Sequence, residues 1–163
     1  VQRASIDDKS VLRNMLELYQ YDFSEYDGAD VDAHGLFGYP YLDHYWTEAK
    51  RYPFLVRVSG KVAGFVLVRT VDRCGESATR TMAEFFVMRK YRRQGIGRQV
   101  AWQIFDLFPG RWSVCQQEGN LPAQSFWRRV IADYTHGAYT DEYLHTEEWH
   151  GPCQGFWSRT RER

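Results

Sequence analysis

A basic, glycine-containing segment is the part of the sequence whose residue types and spacing predict chemistry most clearly. The twelve residues "RKYRRQGIGRQV", Arg89 to Val100, carry five cationic side chains around Gly95 and Gly97 and no acidic residue. A strand pattern precedes the glycines and a helical pattern follows them, and the N–H groups at a helix N-terminus bind phosphate. Glycines let a ligand approach the backbone, and the forked guanidinium of arginine suits phosphate. The segment therefore predicts a phosphate-binding loop, with a solvated basic turn as the alternative.

The same segment resembles the pyrophosphate-binding motif of the GNAT superfamily of N-acetyltransferases. The family pattern, Arg/Gln-x-x-Gly-x-Gly/Ala, is matched by Arg92, Gly95 and Gly97 after a strand that ends in Val87. The letters "RAS…D" at residues 3–8 are similar to the family's first strand and helix start, and "GNLPAQSFW" is similar to its Asn-x-x-Ala segment. The resemblance implies a GNAT-like acyl-CoA N-acyltransferase fold of the α/β class. Its central sheet is mixed and mostly antiparallel, splayed between strands four and five, and flanked by helices.

The resemblance also implies acetyl-CoA as co-substrate, no metal, and a set of residues that bind the co-substrate. The backbone at the end of the third long strand would pair with the pantetheine arm, and the basic loop would enclose the pyrophosphate. An asparagine that caps the following helix would also contact the pantetheine arm, although capping alone is the alternative. The residues so implied are Val87, Met88, Arg89, Arg92, Arg93, Gln94, Gly95, Ile96, Gly97, Arg98 and Asn120.

A carboxylate on the strand before the loop is the candidate general base. Acetyl transfer to an amine requires a neutral amine, so a base must accept a proton from the ammonium. Met82, Glu84, Phe86 and Met88 share one strand face by period two. The apolar neighbours of Glu84 disfavour its charged form and make it more basic, and several members of the family carry their base on this strand. The alternative is a structural ion pair with Arg80.

The helix after Asn120 would hold the residue that protonates the departing CoA thiolate. In the family this residue is often a tyrosine, but the corresponding position here is Trp127. An indole N–H donates a hydrogen bond without releasing its proton at ordinary pH. The glycine that usually follows is also missing, because Val130 or Ile131 stands there. Tyr134 is the substitute candidate for the acid, and protonation by solvent is the alternative.

An acidic stretch predicts the kind of acceptor. In the family this region forms one wall of the acceptor site, so its acids would favour a cationic primary amine of a small molecule or peptide, and its aromatic rings would surround an ammonium. We assign Asp22, Glu25, Tyr26 and Asp27 to substrate binding. The alternative is an acidic solvated loop whose aromatic residues pack as core. Between Asn14 and Ala49 the sequence has no lysine or arginine but eight acids: Glu17, Asp22, Glu25, Asp27, Asp30, Asp32, Asp43 and Glu48.

Periodicity predicts the elements that must position these residues. Two further helices are predicted. The first follows the glycine loop and ends at Pro109-Gly110, and the second follows Asn120, which caps it. The remaining pattern alternates between strands and turns. It predicts a helix over 6–21, a loop or broken helix over 22–41, a short helical segment over 41–51, and strands over 54–58, 62–69, 79–88, 112–116, 138–145 and 154–160.

Composition sets the broad class. The 163 residues, 44% of them hydrophobic, suit one domain over residues 1–163. The formal net charge of zero gives no bulk attraction to nucleic acid or membrane. Cys74, Cys115 and Cys153 are odd in number and widely spaced, which argues against a disulfide framework or a zinc site and favours a reducing compartment. His145 and His150 flank "TEEW" without a third ligand, so they are assigned to the surface and not to a metal site.

These patterns together predict a cytoplasmic, single-domain acetyltransferase that acts as a monomer or homodimer. No apolar run reaches membrane-spanning length, and no signal-peptide pattern opens the sequence. Direct transfer to the amine is expected, because no Ser or Cys stands beside a His in a nucleophile-like context. A non-catalytic acyl-CoA-binding or regulatory module is the alternative that the missing tyrosine favours. Binding of nucleic acid through Arg89–Arg98 is disfavoured by the zero net charge and the acidic half.

Overall fold

The computed structural model describes residues 1–72, 78–147 and 149–159, which form a mixed α/β fold. Short 3₁₀ turns at Ile6–Asp8 and Arg89–Tyr91 precede α1 and α3. Within these described ranges no helix is both long enough and apolar enough to cross a membrane. The elements are β1 Gln2–Arg3, α1 Lys9–Asp27, α2 His44–Thr47, β2 Arg51–Val58, β3 Lys61–Val71, β4 Thr79–Val87, α3 Ile96–Leu107, β5 Gly110–Cys115, α4 Leu121–Thr135, β6 Tyr139–His145 and β7 His150–Ser158.

The strands form one mixed sheet in the order β1-β2-β3-β4-β5-β7-β6. β4 runs parallel to β5, with Arg80 opposite Trp112 and Thr81 opposite Ser113. The pairs β1–β2, β5–β7 and β6–β7 are antiparallel. A mostly antiparallel sheet that contains one parallel pair and is flanked by helices confirms the predicted fold class.

Several element boundaries differ from the sequence prediction, among them α2, which is His44–Thr47 instead of 41–51, and β2, which begins at Arg51 instead of residue 54. α1 continues to Asp27, so the predicted loop or broken helix does not begin at residue 22. Aromatic contacts extend the helix: the rings of Tyr19 and Phe23 lie 4.5 Å apart, and Phe23 and Tyr26 lie 6.2 Å apart. Gly28 then ends it in the left-handed conformation, with φ +69°. β7 begins at His150 instead of residue 154, because pairing with β6 carries the ladder to the hairpin turn.

The chain divides into two compact units, and we describe each by itself. Unit 1 contains Val1–Val68 and Ala83–Tyr91, and unit 2 contains Arg69–Met82 and Arg92–Arg163. The predicted single-domain organisation stays a prediction. In unit 1 one face of α1 packs on β2, β3 and the end of β4. Its buried cluster consists of Ala4, Leu12, Met15, Leu16, Tyr19, Leu42, Tyr45, Leu55, Phe65, Leu67 and Phe86.

Unit 2 is organised around Phe105 of α3, whose side chain is fully buried. Its ring centroid lies 4.8 Å from Phe156, 5.0 Å from Trp112, 5.1 Å from Tyr134 and 6.4 Å from Trp127. Much of the high aromatic content therefore serves the core between α3, α4, β5 and β7. Edge-to-face packing of this kind adds to the stabilisation that burial itself provides.

A series of side-chain hydrogen bonds in unit 2 runs from α4 across β6 and β7 to the end of β5. Arg128 Nε donates to Asp141 Oδ2 at 2.7 Å, and Gln154 Nε2 donates to Asp141 Oδ1 at 2.8 Å. The side-chain oxygen of Gln154 accepts from Gln116 Nε2 at 2.8 Å. Gln154 is fully buried, and these bonds satisfy both ends of its amide, which would be costly to bury unpaired. Gln116 Nε2 also donates to Val114 O at 2.9 Å.

The structure corrects the prediction about cysteine. Cys115 of β5 and Cys153 of β7 are directly opposite in the antiparallel ladder, and their sulfur atoms form a disulfide. The sequence separation of 38 residues hid this proximity, because only the register of the two strands brings the thiols together. The third cysteine, Cys74, lies outside the described residues.

Candidate active site

The basic loop has the backbone geometry of an anion-binding turn. Gly95 precedes α3 in the left-handed conformation, with φ +78°, and Arg93 also has positive φ, +62°. This turn directs the first N–H groups of α3 outward, and the loop residues Arg92–Gly95 and Arg98 are exposed. The Arg98 guanidinium lies 5.4 Å from the centre of the Trp102 ring. The predicted pyrophosphate-binding residues of unit 2 therefore form a positively charged helix N-terminus that an anion can approach.

Three further residues predicted to bind the co-substrate lie at the end of β4 in unit 1. Val87 is the last residue of the strand, and the Met88 N–H donates to Ala63 O at 2.8 Å. Arg89 Nη2 donates to Asp22 Oδ1 at 2.7 Å, and this hydrogen bond and charge raise the pKa of Arg89. The structure thus pairs one predicted cofactor-binding residue with one predicted substrate-binding residue.

Glu84 accepts hydrogen bonds from two tyrosines of the same unit. Tyr19 Oη donates to Oε2 at 2.5 Å, and Tyr39 Oη donates to Oε1 at 2.9 Å. Burial, and then the Glu84 charge, raise the pKa of both phenols well above the ordinary value, so both stay protonated and act as donors. Tyr45 lies near this pair, and its pKa is also raised, first by burial and then by Glu84. The carboxylate is therefore held in a fixed orientation among neutral phenols.

Some residues of the acidic stretch fix the backbone of neighbouring turns, and others lie together on one face of α1. Glu17 accepts from the backbone N–H groups of Phe37 and Gly38 at 2.8 and 3.0 Å, which fixes the loop after α1. Asp27 caps the next turn by accepting from Ala29 N at 2.9 Å. Asp22, Glu25 and Tyr26 have the spacing i, i+3, i+4 on α1, so they lie on one face of that helix. Glu25 is exposed.

The candidate residues of α4 lie in the interior of unit 2. Asn120 Oδ1 accepts from Ala123 N at 3.0 Å, which confirms the predicted helix cap. Trp127 is 6% exposed and packs on Phe105. Tyr134 is 7% exposed; its hydroxyl donates to Asp106 Oδ1 at 2.7 Å and lies 3.0 Å from Ser158 Oγ. The role of Tyr134 as the acid stays a prediction.

Sequence reasoning did not identify the two tyrosines that bind Glu84. Tyr19 lies on the buried face of α1 and fits a hydrophobic pattern, while Tyr39 lies in an irregular segment. A tyrosine on an apolar helix face is a usable signal, because a buried phenol needs a hydrogen-bond partner. That signal does not name the partner, which lies 65 residues away for Tyr19.

Comparison with known families identifies the chain. The family model described as "Acetyltransferase (GNAT) family" matches residues 12–131, which is most of the sequence. The chain belongs to the GNAT acetyltransferase family. It is therefore an acetyl-CoA-dependent acyltransferase, and its basic loop lies inside the matched region.

Solved structures of GNAT acetyltransferases share the fold. An acetyltransferase from Thermus thermophilus aligns with TM-score 0.68 and 13% identity, covering 96% of this chain and 94% of that one. The PaiA N-acetyltransferase of Thermoplasma acidophilum in complex with coenzyme A aligns with TM-score 0.65 and 8% identity, over 96% of each chain. An aminoglycoside acetyltransferase from an uncultured soil metagenomic sample, in complex with sisomicin, aligns with TM-score 0.64 and 15% identity, covering 89% of this chain and 91% of that one. No curated protein matches the sequence.

Proposed function

We propose that this GNAT enzyme transfers the acetyl group of acetyl-CoA directly to a primary amine of a small molecule or peptide. The observation that carries the proposal is the Glu84 carboxylate held by the Tyr19 and Tyr39 hydroxyls. Phenols that keep their own protons cannot take the carboxylate's place as base, so the proton acceptor among these three groups is Glu84. One structural neighbour is an aminoglycoside acetyltransferase, which agrees with an amine acceptor.

The residues that would hold acetyl-CoA fit its chemistry. A helix N-terminus preceded by the left-handed Gly95 suits a pyrophosphate, and the guanidinium groups of Arg92, Arg93 and Arg98 add charge. Gln94, Ile96 and Gly97 complete the loop, while Val87, Met88, Arg89 and Asn120 are proposed to contact the pantetheine arm. Bound acetyl-CoA supplies the activated acetyl thioester.

In the proposed reaction the protein chain moves one proton before transfer and one after it. Glu84 Oε accepts a proton from the substrate ammonium, which frees the nitrogen lone pair for attack. Asp22, Glu25, Tyr26 and Asp27 attract and orient the cationic amine. Tyr134 or solvent gives a proton to the sulfur of the CoA product, and the second proton that the nitrogen loses as the amide forms restores that donor. A cytoplasmic location stays a prediction, and the disulfide removes the cysteine argument for it.

The experiment combines thioester consumption with CoA binding. We expect the wild-type chain to consume acetyl-CoA in the presence of at least one member of a primary-amine panel that includes aminoglycosides and peptides. Gly97→Val should abolish CoA binding in calorimetry while far-UV circular dichroism stays unchanged, because the added side chain blocks approach to the loop backbone. Unchanged CoA affinity in this variant would contradict the loop assignment. Absence of turnover with every amine would contradict the acceptor class.

A further inference from the structure

The hairpin formed by β6 and β7 carries two exposed histidines in direct contact. His145 and His150 are opposite in the antiparallel register, and Nδ1 of His145 lies 3.1 Å from Nε2 of His150. Both side chains are exposed, so an ion from solvent can reach them. Neither histidine has a role in the acetyl transfer proposed above.

The second ring nitrogen of His150 contacts a tyrosine of the same hairpin. Tyr143 Oη lies 3.1 Å from His150 Nδ1. In the tautomer whose Nδ1–H donates to this phenol oxygen, the lone pair of His150 is on Nε2, the nitrogen that faces His145.

We propose that His145 Nδ1 and His150 Nε2 form a two-histidine site for a divalent transition metal ion, such as Ni²⁺, Cu²⁺ or Zn²⁺. Imidazole nitrogens about 2.0–2.1 Å from a tetrahedral ion lie about 3.3 Å apart. Two adjacent ligands of a square-planar ion lie about 2.9 Å apart. The observed separation of 3.1 Å falls between these values, so one ion can reach both nitrogens once the two rings turn their lone pairs from each other toward it.

An ion at this site binds neutral imidazoles, so each ring carries its proton on the nitrogen that faces away from the ion. The Nδ1–H of His150 then donates to Tyr143 Oη, which lies 3.1 Å away. Such a hydrogen bond is the outer-shell support that commonly orients a metal-bound imidazole.

The backbone holds the two histidines in place. Thr146 N donates to Trp149 O at 2.9 Å, and Trp149 N donates to Thr146 Oγ1 at 3.0 Å. These bonds close the hairpin directly after the histidine pair, which limits the freedom of both strand ends. In the described ranges no group of three or more His, Cys, Asp and Glu side chains is arranged to hold a metal ion. Among the residues that the structure describes, the site therefore offers two protein ligands, and water completes the coordination.

Calorimetric titration of the tag-free, oxidised chain with NiCl₂ tests the proposal without any measurement of acetyl transfer. We expect one Ni²⁺ per chain and no response to MgCl₂, because Mg²⁺ prefers oxygen ligands. His145→Gln and His150→Gln should each weaken Ni²⁺ binding by more than tenfold, and Tyr143→Phe by about tenfold through loss of outer-shell support. His44→Gln is the matched control, since His44 is half-buried, lies in unit 1, and has its Nδ1 3.2 Å from Glu48 Oε1.

Three results would overturn the inference. The first is no Ni²⁺ binding by the wild-type chain. The second is Ni²⁺ affinity in His145→Gln or His150→Gln equal to that of wild type. The third is loss of binding in His44→Gln, which would place the ion on another histidine. Thermal melts of each variant without metal establish that the fold is retained, as expected for substitutions of exposed side chains.

Discussion

Gly64 of β3 provides the sharpest test of the structure around β4. A Cβ atom at this position would overlap the carbonyl oxygen of Phe86 and lie 3.0 Å from Phe86 C and 3.1 Å from Val87 Cα. All three atoms belong to the backbone, so no rotamer change relieves the contact. Gly64→Ala must therefore move β3 away from the end of β4, which carries Val87 and the hydrogen bond from Met88 N to Ala63 O.

The size of the effect follows from two opposing contributions. Overpacking a well-packed site costs about 1–3 kcal/mol, and we place this rigid backbone clash at the upper end, about 3 kcal/mol. Alanine restricts the unfolded chain more than glycine does, which raises the free energy of unfolding by up to about 1 kcal/mol. The free energy of unfolding should thus fall by about 2 kcal/mol. For a chain of this length, that fall lowers the melting temperature by about 4–8 °C.

Gly119→Ala is the matched control for this measurement. A Cβ atom there meets no other atom within 4 Å, and Gly119 is not among the residues with positive φ. The unfolded-state contribution is the same in both variants, so the difference between their melting temperatures isolates the clash. Thermal denaturation followed by far-UV circular dichroism measures it. Equal melting temperatures for the two variants would refute the close approach of β3 and β4.

Three further predictions concern the candidate site and the disulfide. Glu84→Gln should lower kcat by roughly 10²–10⁴-fold with CoA binding retained, and the loss should shrink at high pH, where the amine arrives neutral; near-native turnover would exclude Glu84 as the base. Replacing Asp22, Glu25 and Asp27 together by amides should raise KM for the amine and leave KM for acetyl-CoA nearly unchanged, whereas equal effects would indicate a structural role. Cys153→Ser should lower the free energy of unfolding in urea by up to roughly 4 kcal/mol, from the loop that the disulfide closes; no change relative to Cys74→Ser would contradict the cross-link.

Local sequence patterns predicted most of the elements, because periodicity and capping act over a few residues. The cap at Asn120 and the glycine turn before α3 are found where the sequence places them. The end of α1 was missed, since the Gly- and Asp-rich composition after Tyr21 suggested a loop. Contacts of Phe23 with Tyr19 and Tyr26 keep that segment helical.

Contacts between distant segments could not be predicted in the same way. The loop motif indicated the family, because its residues are adjacent in sequence. The phenols that bind Glu84 come from α1 and from the segment before α2, so only the tertiary fold assembles them. The same reason explains the ion pair between Arg89 and Asp22, two residues that the sequence analysis assigned to different ligands.

The hydrogen bonds that run from Arg128 through Asp141 and Gln154 to Gln116 orient a buried side-chain amide in unit 2. Asp141 as a carboxylate only accepts, so Gln154 must present its NH₂ group to it and its carbonyl to Gln116. A surface ion pair thereby helps to set which way the buried Gln154 amide points, while Val114 O fixes the NH₂ group of Gln116. Although partial desolvation opposes the shift, the bonds from Gln154 and Arg128 hold the pKa of Asp141 below its ordinary value. The stabilisation from this shift is present above the ordinary aspartate pKa and is lost as pH falls through the lowered one. A protonated Asp141 can donate as well as accept, so in strong acid only the bond from Gln116 Nε2 still requires this orientation of Gln154.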